Sequence, residues 1–302
     1  MDIAMTGSGG LIGSALVRSL QEAGHRVRKL VRRPPQGPDE LRWDPQAGTI
    51  DRAGLAGVEA VVNLAGEGVA EKRWTAEQKQ RIRESRTQGT TTLATALAEL
   101  DPKPSVLLNA SAVGFYGDRG DEVLTEASAG GTGFLADVVR DWEAATRPAV
   151  GAGIRSTMFR TGIVLASDGG ALKLQLPLFR LGLGGRLGPG TQWMPWISLE
   201  DEVGAIVHLL TADVEGPVNL SAPEPVTNAE FTRVLGRVLG RPAVLPVPRF
   251  APKLLLGGQL VEEVVLSSAR MLPERLLASG YGFRHRDLES ALRAVLDKPA
   301  AA

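Results

Sequence analysis

The sequence predicts an α/β protein: a doubly wound parallel sheet with a smaller C-terminal lobe. Three observations predict it. Short apolar runs with the length of buried strands alternate with stretches in which apolar residues recur at helical spacing. The first run, MDIAM, gives way at once to TGSGGLIG, Thr6 to Gly13, with four glycines in eight positions. After LPVPRFAP the alternation stops and several short helical patterns take its place, which divides the chain into 1–240 and 241–302.

In chain order, Asp2 to Met5 reads as a buried strand, and from Leu11 the residues Ile12, Ala15, Leu16, Leu20 and Ala23 trace one helical face. Gly24 is placed to end that helix, since glycine enters the left-handed region at little cost. HRVRKLVRR supplies the second strand. AVVNLAG is a strand ending in a small-residue loop, residues 75–100 a long helix, SVLLNAS another buried strand, and 133–147 a further helix. STMFRTGIVL is read as the next strand, followed by the glycine-rich RLGLGGRLGPG, the tryptophan-bearing WMPWIS and helices near 199–210 and 229–239. This is the βαβ rhythm of a Rossmann-type sheet with helices on both faces. Ligands of such sheets sit beyond the carboxyl ends of the strands.

Composition narrows the function classes. The chain has 302 residues, 43% of them apolar, enough for a sizeable core. Lys and Arg number 34, as do Asp and Glu, so no global field draws the protein to nucleic acid or to an anionic membrane. With no cysteine there is no disulfide, no thiolate zinc site and no thiol nucleophile. His25, His208 and His285 lack metal-ligand spacing, so no metal is expected. The opening residues run straight into a strand without a signal-peptide pattern, and no apolar stretch approaches the ~20 residues of a membrane span. The expectation is a cytoplasmic protein with a small-molecule substrate and neither nucleic-acid nor membrane partners.

Strand, glycine bend, helix and second strand within the first 33 residues form the context of a dinucleotide-binding motif. Gly7, Gly10 and Gly13 fit GxxGxxG rather than GxGxxG. Either spacing lets the backbone turn sharply, approach a pyrophosphate and bind its charge with the free N–H groups of the helix start. The end of the second strand selects the nucleotide: a carboxylate there accepts from ribose hydroxyls, whereas Arg32 and Arg33 suit a 2′-phosphate. NADP(H) is the expected cofactor; the other reading is that these arginines only solvate a strand end.

TGxxGxxG, NLAG, ASAVGFYG and the Trp-Ile-x-x-x-Asp run together resemble the extended or atypical short-chain dehydrogenase/reductase superfamily. NLAGEG, KRWTAEQKQRIRESR, RDWEAA, FRLGLGGRLGPGTQWMPWI, TNAEF and LASGYGF are similar to its epimerase-like branch with a small C-terminal domain of unknown function. The resemblance implies that Gly7, Gly10, Leu11, Ile12 and Gly13 line the pyrophosphate, Arg32 and Arg33 the 2′-phosphate, and Leu64, Ala65 and Gly66 the ribose. It implies that Arg86 lies at the cofactor or on a solvated helix face, and that Val164 packs on the nicotinamide side.

The superfamily's chemistry uses Tyr followed four residues later by Lys, because a phenol of pKa near ~10 must be brought closer to neutrality to exchange protons. Here Tyr116 is followed at that spacing by Gly120 and Tyr281 by His285, and the resemblance puts Phe134 and Val138 in the two places. Ser111 matches the superfamily's hydrogen-bonding serine. Tyr116 either donates a proton or shapes its loop; Glu67 either works as acid/base or fixes backbone and ribose. Arg186 and Gln192 lie in a segment that either contacts substrate or forms a lid. The expected function is an NADP(H)-dependent oxidoreductase acting on a small carbonyl or alcohol. The alternatives are a nucleoside-diphosphate-sugar epimerase and a non-catalytic NADPH-binding regulator. The long helices either pair in a homodimer or cover the sheet of a monomer.

Overall fold

The computed structural model describes residues 1–298. In chain order they form β1 (Asp2–Thr6), α1 (Leu11–Glu22), β2 (Arg26–Val31), β3 (Glu40–Asp44), β4 (Thr49–Ile50), β5 (Ala60–Asn63), α2 (Ala76–Ala98), β6 (Val106–Ala112), β7 (Val123–Leu124), α3 (Phe134–Ala144), α4 (Arg147–Gly151), β8 (Arg155–Thr161), β9 (Ile163–Leu165) and α5 (Gly170–Arg180). There follow β10 (Trp193–Met194), β11 (Trp196–Ser198), α6 (Leu199–Thr211), β12 (Gly216–Leu220), β13 (Val226–Thr227), α7 (Asn228–Leu239), α8 (Phe250–Leu256), α9 (Gly258–Leu260), β14 (Arg270–Met271), α10 (Glu274–Ala278) and α11 (Leu288–Val295). Two compact units result. One comprises Met1–Ser111, Asp137–Arg160 and Val203–Val218; the other comprises Ala112–Ala136, Thr161–Glu202 and the chain from Asn219 onward.

The first unit is organised by an eight-stranded sheet of order β12-β8-β6-β5-β1-β2-β3-β4. The run from β6 to β3 is parallel, and β4 closes the edge antiparallel to β3. Ala4, Val61 and Leu107 pack on one face against Leu93, Ala94 and Leu97 of α2. Ile3, Met5, Val62 and Leu108, which alternate with them, are equally buried. Burial on both faces is why these strands read as continuous apolar runs. The hairpin of β3 and β4 escapes the sequence reading: ELRWD is short and half charged, yet its Trp43 enters the same core as Leu93.

In the second unit the expected strand STMFRTGIVL is broken at Gly162. β8 stops at Thr161, and β9 pairs parallel with β11 instead. A Cβ on Gly162 would stand 2.2 Å from the Pro195 carbonyl oxygen, so the crossing needs glycine. The stretch GALKLQLPLFR, unassigned from sequence, is α5. Its Leu172, Leu176 and Phe179 share a core with Phe231 and Leu235 of α7 and Leu288 and Leu292 of α11. α11 therefore packs into the same core as α5 and α7, whereas Ala269 and Met271 pack with Tyr116 and Leu124. Wholly buried Asp201 ties the 281–285 loop to α6: its carboxylate accepts from the N–H groups of Arg284 (2.8 Å) and His285 (3.0 Å) and from Ser198 Oγ (2.9 Å). Among the described residues no helix is long and apolar enough to cross a membrane, and no cluster of His, Asp and Glu is placed to hold a metal ion.

Candidate functional site

The polar ends of three adjacent strands build the site within the first unit. Register sets Thr6 beside Asn63 and Asn63 beside Asn109. Thr6 Oγ1 donates to Asn63 Oδ1 (2.6 Å) and accepts from the N–H groups of Leu64 and Ala65 (3.1 Å each). Asn63 donates onward to Asn109 Oδ1 (2.6 Å) and Thr90 Oγ1 (2.9 Å), and Trp142 Nε1 donates to the same Thr90 oxygen (3.0 Å). Each buried amide or hydroxyl thus finds a partner, which fixes the NLAG loop beside the glycine bend.

The bend itself is cleared of side chains. Gly7 has φ +66°, and a Cβ there would meet the Leu64 carbonyl carbon at 2.7 Å; one on Gly13 would meet the Gly7 oxygen at 2.1 Å. At Gly9 a Cβ would meet nothing within 4 Å, so the bend is open. Gly10 is the N-cap of α1 and offers no side-chain cap. Among the described residues the N–H groups of Leu11, Ile12 and Gly13 have no internal acceptor. Free donors and the positive end of a 12-residue helix fit an anion that needs close backbone approach.

Around this cradle the two strand-end arginines separate. Arg33 is committed: its guanidinium holds Glu40 through two bonds (2.6 and 2.7 Å) and the Pro34 carbonyl through a third. The pair keeps the Glu40 carboxyl down at about 2. Arg32 is exposed, and among the described residues no group engages its side chain. Arg86 is half-buried, not solvated. Its guanidinium carbon lies 3.1 Å from where a Gly66 Cβ would sit and 4.9 Å from the Trp142 ring centroid, and it donates to the Glu67 carbonyl (2.9 Å). Desolvation pushes its pKa down to about 10, against the opposing pull of Glu67, so it stays cationic at neutral pH.

The side chains expected to do chemistry each have their own local partners. Glu67 is 31% exposed, with Gln78 Nε2 at 3.3 Å and Lys72 at 3.9 Å from its carboxylate. Ser111 is buried and donates to Glu143 Oε1 (2.6 Å). Tyr116 belongs to the second unit, where it has no exposed surface; its hydroxyl lies 2.7 Å from Asn219 Oδ1 and 3.0 Å from the Thr125 carbonyl oxygen. Val164, also in that unit, sits half-buried in β9 opposite Ile197. Sequence reasoning missed Glu143 and Arg160, which form a buried bidentate ion pair (2.8 and 2.9 Å) around the Ser111 hydroxyl. The only available signal was an arginine inside an otherwise uncharged strand.

Fold and loop together define a Rossmann-type, dinucleotide-binding class of α/β protein. The chain belongs to the NAD dependent epimerase/dehydratase family, whose model matches residues 3–133, and a domain of unknown function, DUF1731, matches 247–295. An epimerase family protein of Mycobacterium bovis is 45% identical over 298 residues, 98% of each chain. The crystal structure of human epimerase family protein SDR39U1 (isoform 2) with NADPH superposes with a TM-score of 0.91 at 34% identity, covering 98% of this chain and 99% of that one. A nucleoside-diphosphate sugar epimerase from Corynebacterium glutamicum matches with a TM-score of 0.80 at 39% identity, covering 98% of this chain but 58% of that one.

Proposed function

We propose that this protein is an NADP(H)-dependent oxidoreductase acting on a small carbonyl or alcohol. The observation that carries the reading is the side-chain-free cradle of Gly7, Gly10 and Gly13 with three N–H groups unclaimed among the described residues, next to a strand followed directly by Arg32, which no described residue pairs. The human relative crystallised with NADPH supports it. In this reading Leu11, Ile12 and Gly13 hold the pyrophosphate by their backbone N–H groups. Arg32 reads the 2′-phosphate, while Arg33 acts mainly through Glu40. Leu64, Ala65 and Gly66 border the ribose, and Arg86 holds their loop from behind. Val164 is kept as the contact for the nicotinamide side.

When bound, the nicotinamide supplies or accepts the hydride; the protein orients the partners and exchanges the proton. With the hydroxyls of Ser111 and Tyr116 already engaged, Glu67 is the side chain we assign to proton exchange. Glu67→Gln is expected to lower turnover of a responsive carbonyl by about 100-fold with unchanged NADPH affinity. Unchanged turnover would remove Glu67 from the chemistry.

One observation favours a second reading, an NADPH-binding regulator without turnover. Val138, in the place of the superfamily's lysine, is only 1% exposed and has no ionisable group. Calorimetric titration with NADPH and NADH, repeated for Arg32→Ala, tests what both readings share. NADPH affinity should fall by about tenfold or more while NADH affinity holds; equal losses for both would overturn the assignment of Arg32. NADPH oxidation across a panel of carbonyls then separates the two readings, and tight binding without oxidation favours the regulator. An epimerase would instead retain its nucleotide through purification and regenerate it in each cycle.

A further inference from the structure

The second unit carries an apolar face that its own core does not use. On α5, Leu176 and Phe179 point inward, whereas Leu174 is 75% and Leu178 51% exposed. The strap that follows continues outward with Leu181 and Leu183, and the neighbouring segment adds Val244, 80% exposed, and Phe250. The strap and this segment adjoin. Pro242 lies 3.3 Å from where a Gly182 Cβ would sit, the Val247 N–H donates to the Arg186 carbonyl (2.8 Å), and the Gly188 N–H donates to the Val247 carbonyl (2.9 Å). A patch of this kind on a folded chain marks a docking surface.

Its charge says what docks. The chain as a whole is balanced, yet residues 169–199 and 240–261 hold six cations and no carboxylate. Arg249 and Lys253 share the one carboxylate of Glu262. Lys173, Arg180, Arg186, Arg241 and, further on, Lys298 have no ion pair among the described residues. Arg180, Arg241 and Lys298 converge on a cleft of about 370 Å³ whose walls include Leu239 and Leu296. Arg180 ends α5, and Arg241 and Lys298 follow the C-terminal ends of α7 and α11; each helix end carries roughly half a negative charge. Helix ends therefore account for only part of three positive charges, and the cleft remains cationic. A second copy of this face, paired by two-fold symmetry, would set the same cations against each other.

We propose that this face of the second unit docks on an anionic phospholipid surface, the leucines and Phe250 entering the interface and the Arg180, Arg241 and Lys298 cleft receiving a headgroup phosphate. Short helices with leucine and phenylalanine on one side and unpaired cations beside them meet the requirements for lying in such an interface without crossing it. The global charge balance conceals the feature, because the compensating carboxylates lie elsewhere in the chain.

The test is co-sedimentation of the full-length protein with vesicles of phosphatidylcholine alone and of phosphatidylcholine mixed with phosphatidylglycerol. Binding to the mixed vesicles should exceed binding to phosphatidylcholine by about tenfold or more and weaken with salt. Leu174→Ser with Leu181→Ser, and separately Arg180→Glu with Arg241→Glu, should each reduce it by about tenfold, with thermal melts confirming that these surface variants fold. Equal binding to both vesicles, or binding unchanged in both variants, overturns the proposal. So does a concentration-dependent dimer abolished by the leucine variant, which would make the face a protein interface. Inorganic pyrophosphate bound by the free protein and lost in Arg180→Glu with Arg241→Glu, without preference for anionic vesicles, would reassign the cleft to a soluble phosphate and also overturn it; pyrophosphate binding that survives this variant belongs to the glycine cradle.

Discussion

Arg160→Met is expected to destabilise the protein by about 3–5 kcal/mol, read by chemical denaturation. Arg160 is 3% exposed, and its guanidinium grips both oxygens of Glu143. Removing it leaves a carboxylate in the interior that, among the described residues, keeps the Ser111 hydroxyl as its side-chain donor at 2.6 Å. Such a loss is a large share of the roughly 5–15 kcal/mol that holds a domain folded. The double replacement, Arg160→Met with Glu143→Leu, should recover most of it, because it is the uncompensated charge rather than the lost attraction that costs most. A single variant within about 1 kcal/mol of the parent would contradict the buried geometry. The same experiment bears on Ser111, whose hydroxyl donates to this charge-paired carboxylate at 2.6 Å.

Glu202→Gln should act in the opposite direction and depend on pH. Glu202 is fully buried within the second unit; Thr161 Oγ1 donates to its Oε1 (2.8 Å), while its Oε2 has no hydrogen-bond partner among the described residues. Desolvation raises its pKa from 4.5 to about 8, the Thr161 bond opposing. Between these values the folded protein holds a proton that the unfolded chain has released, so stability falls as pH rises from about 4.5 to about 8. Glutamine imitates the neutral acid and removes this slope. The variant should gain on the order of 3 kcal/mol over the parent at neutral pH, and the gain should vanish below the unfolded pKa. Parallel stability curves for parent and variant across that window would mean that Glu202 is charged in the fold.

These two sites show how differently the sequence speaks about fold and chemistry. Parallel strands buried on both faces announce themselves as apolar runs, which makes β1, β5 and β6 legible, and the helical spacing of its apolar residues does the same for α1. The glycine bend is legible for a related reason: side chains are forbidden there, and only glycine satisfies that. Short edge strands carry too few residues to show a period, which hid β3 and β4. A strand that changes partners does so at a single glycine, which made β8 and β9 look like one element.

The sequence by itself determined the class of fold, the cradle at Gly7 to Gly13, the presence of cations after β2 and the absence of a Tyr-x-x-x-Lys pair. All of these are set by residues close together in the chain. Only the tertiary structure decided which cation is available. Arg32 and Arg33 are adjacent in sequence, yet Glu40 claims one and leaves the other. It also decided that Ser111 serves an ion pair formed by residues 32 and 49 positions away, and that Tyr116 is closed off by Asn219. Hydrogen bonds and desolvation act through space at a few ångströms, while motifs and periodicity register only what lies nearby along the chain. The reactivity of a side chain therefore belongs to its neighbours in the fold.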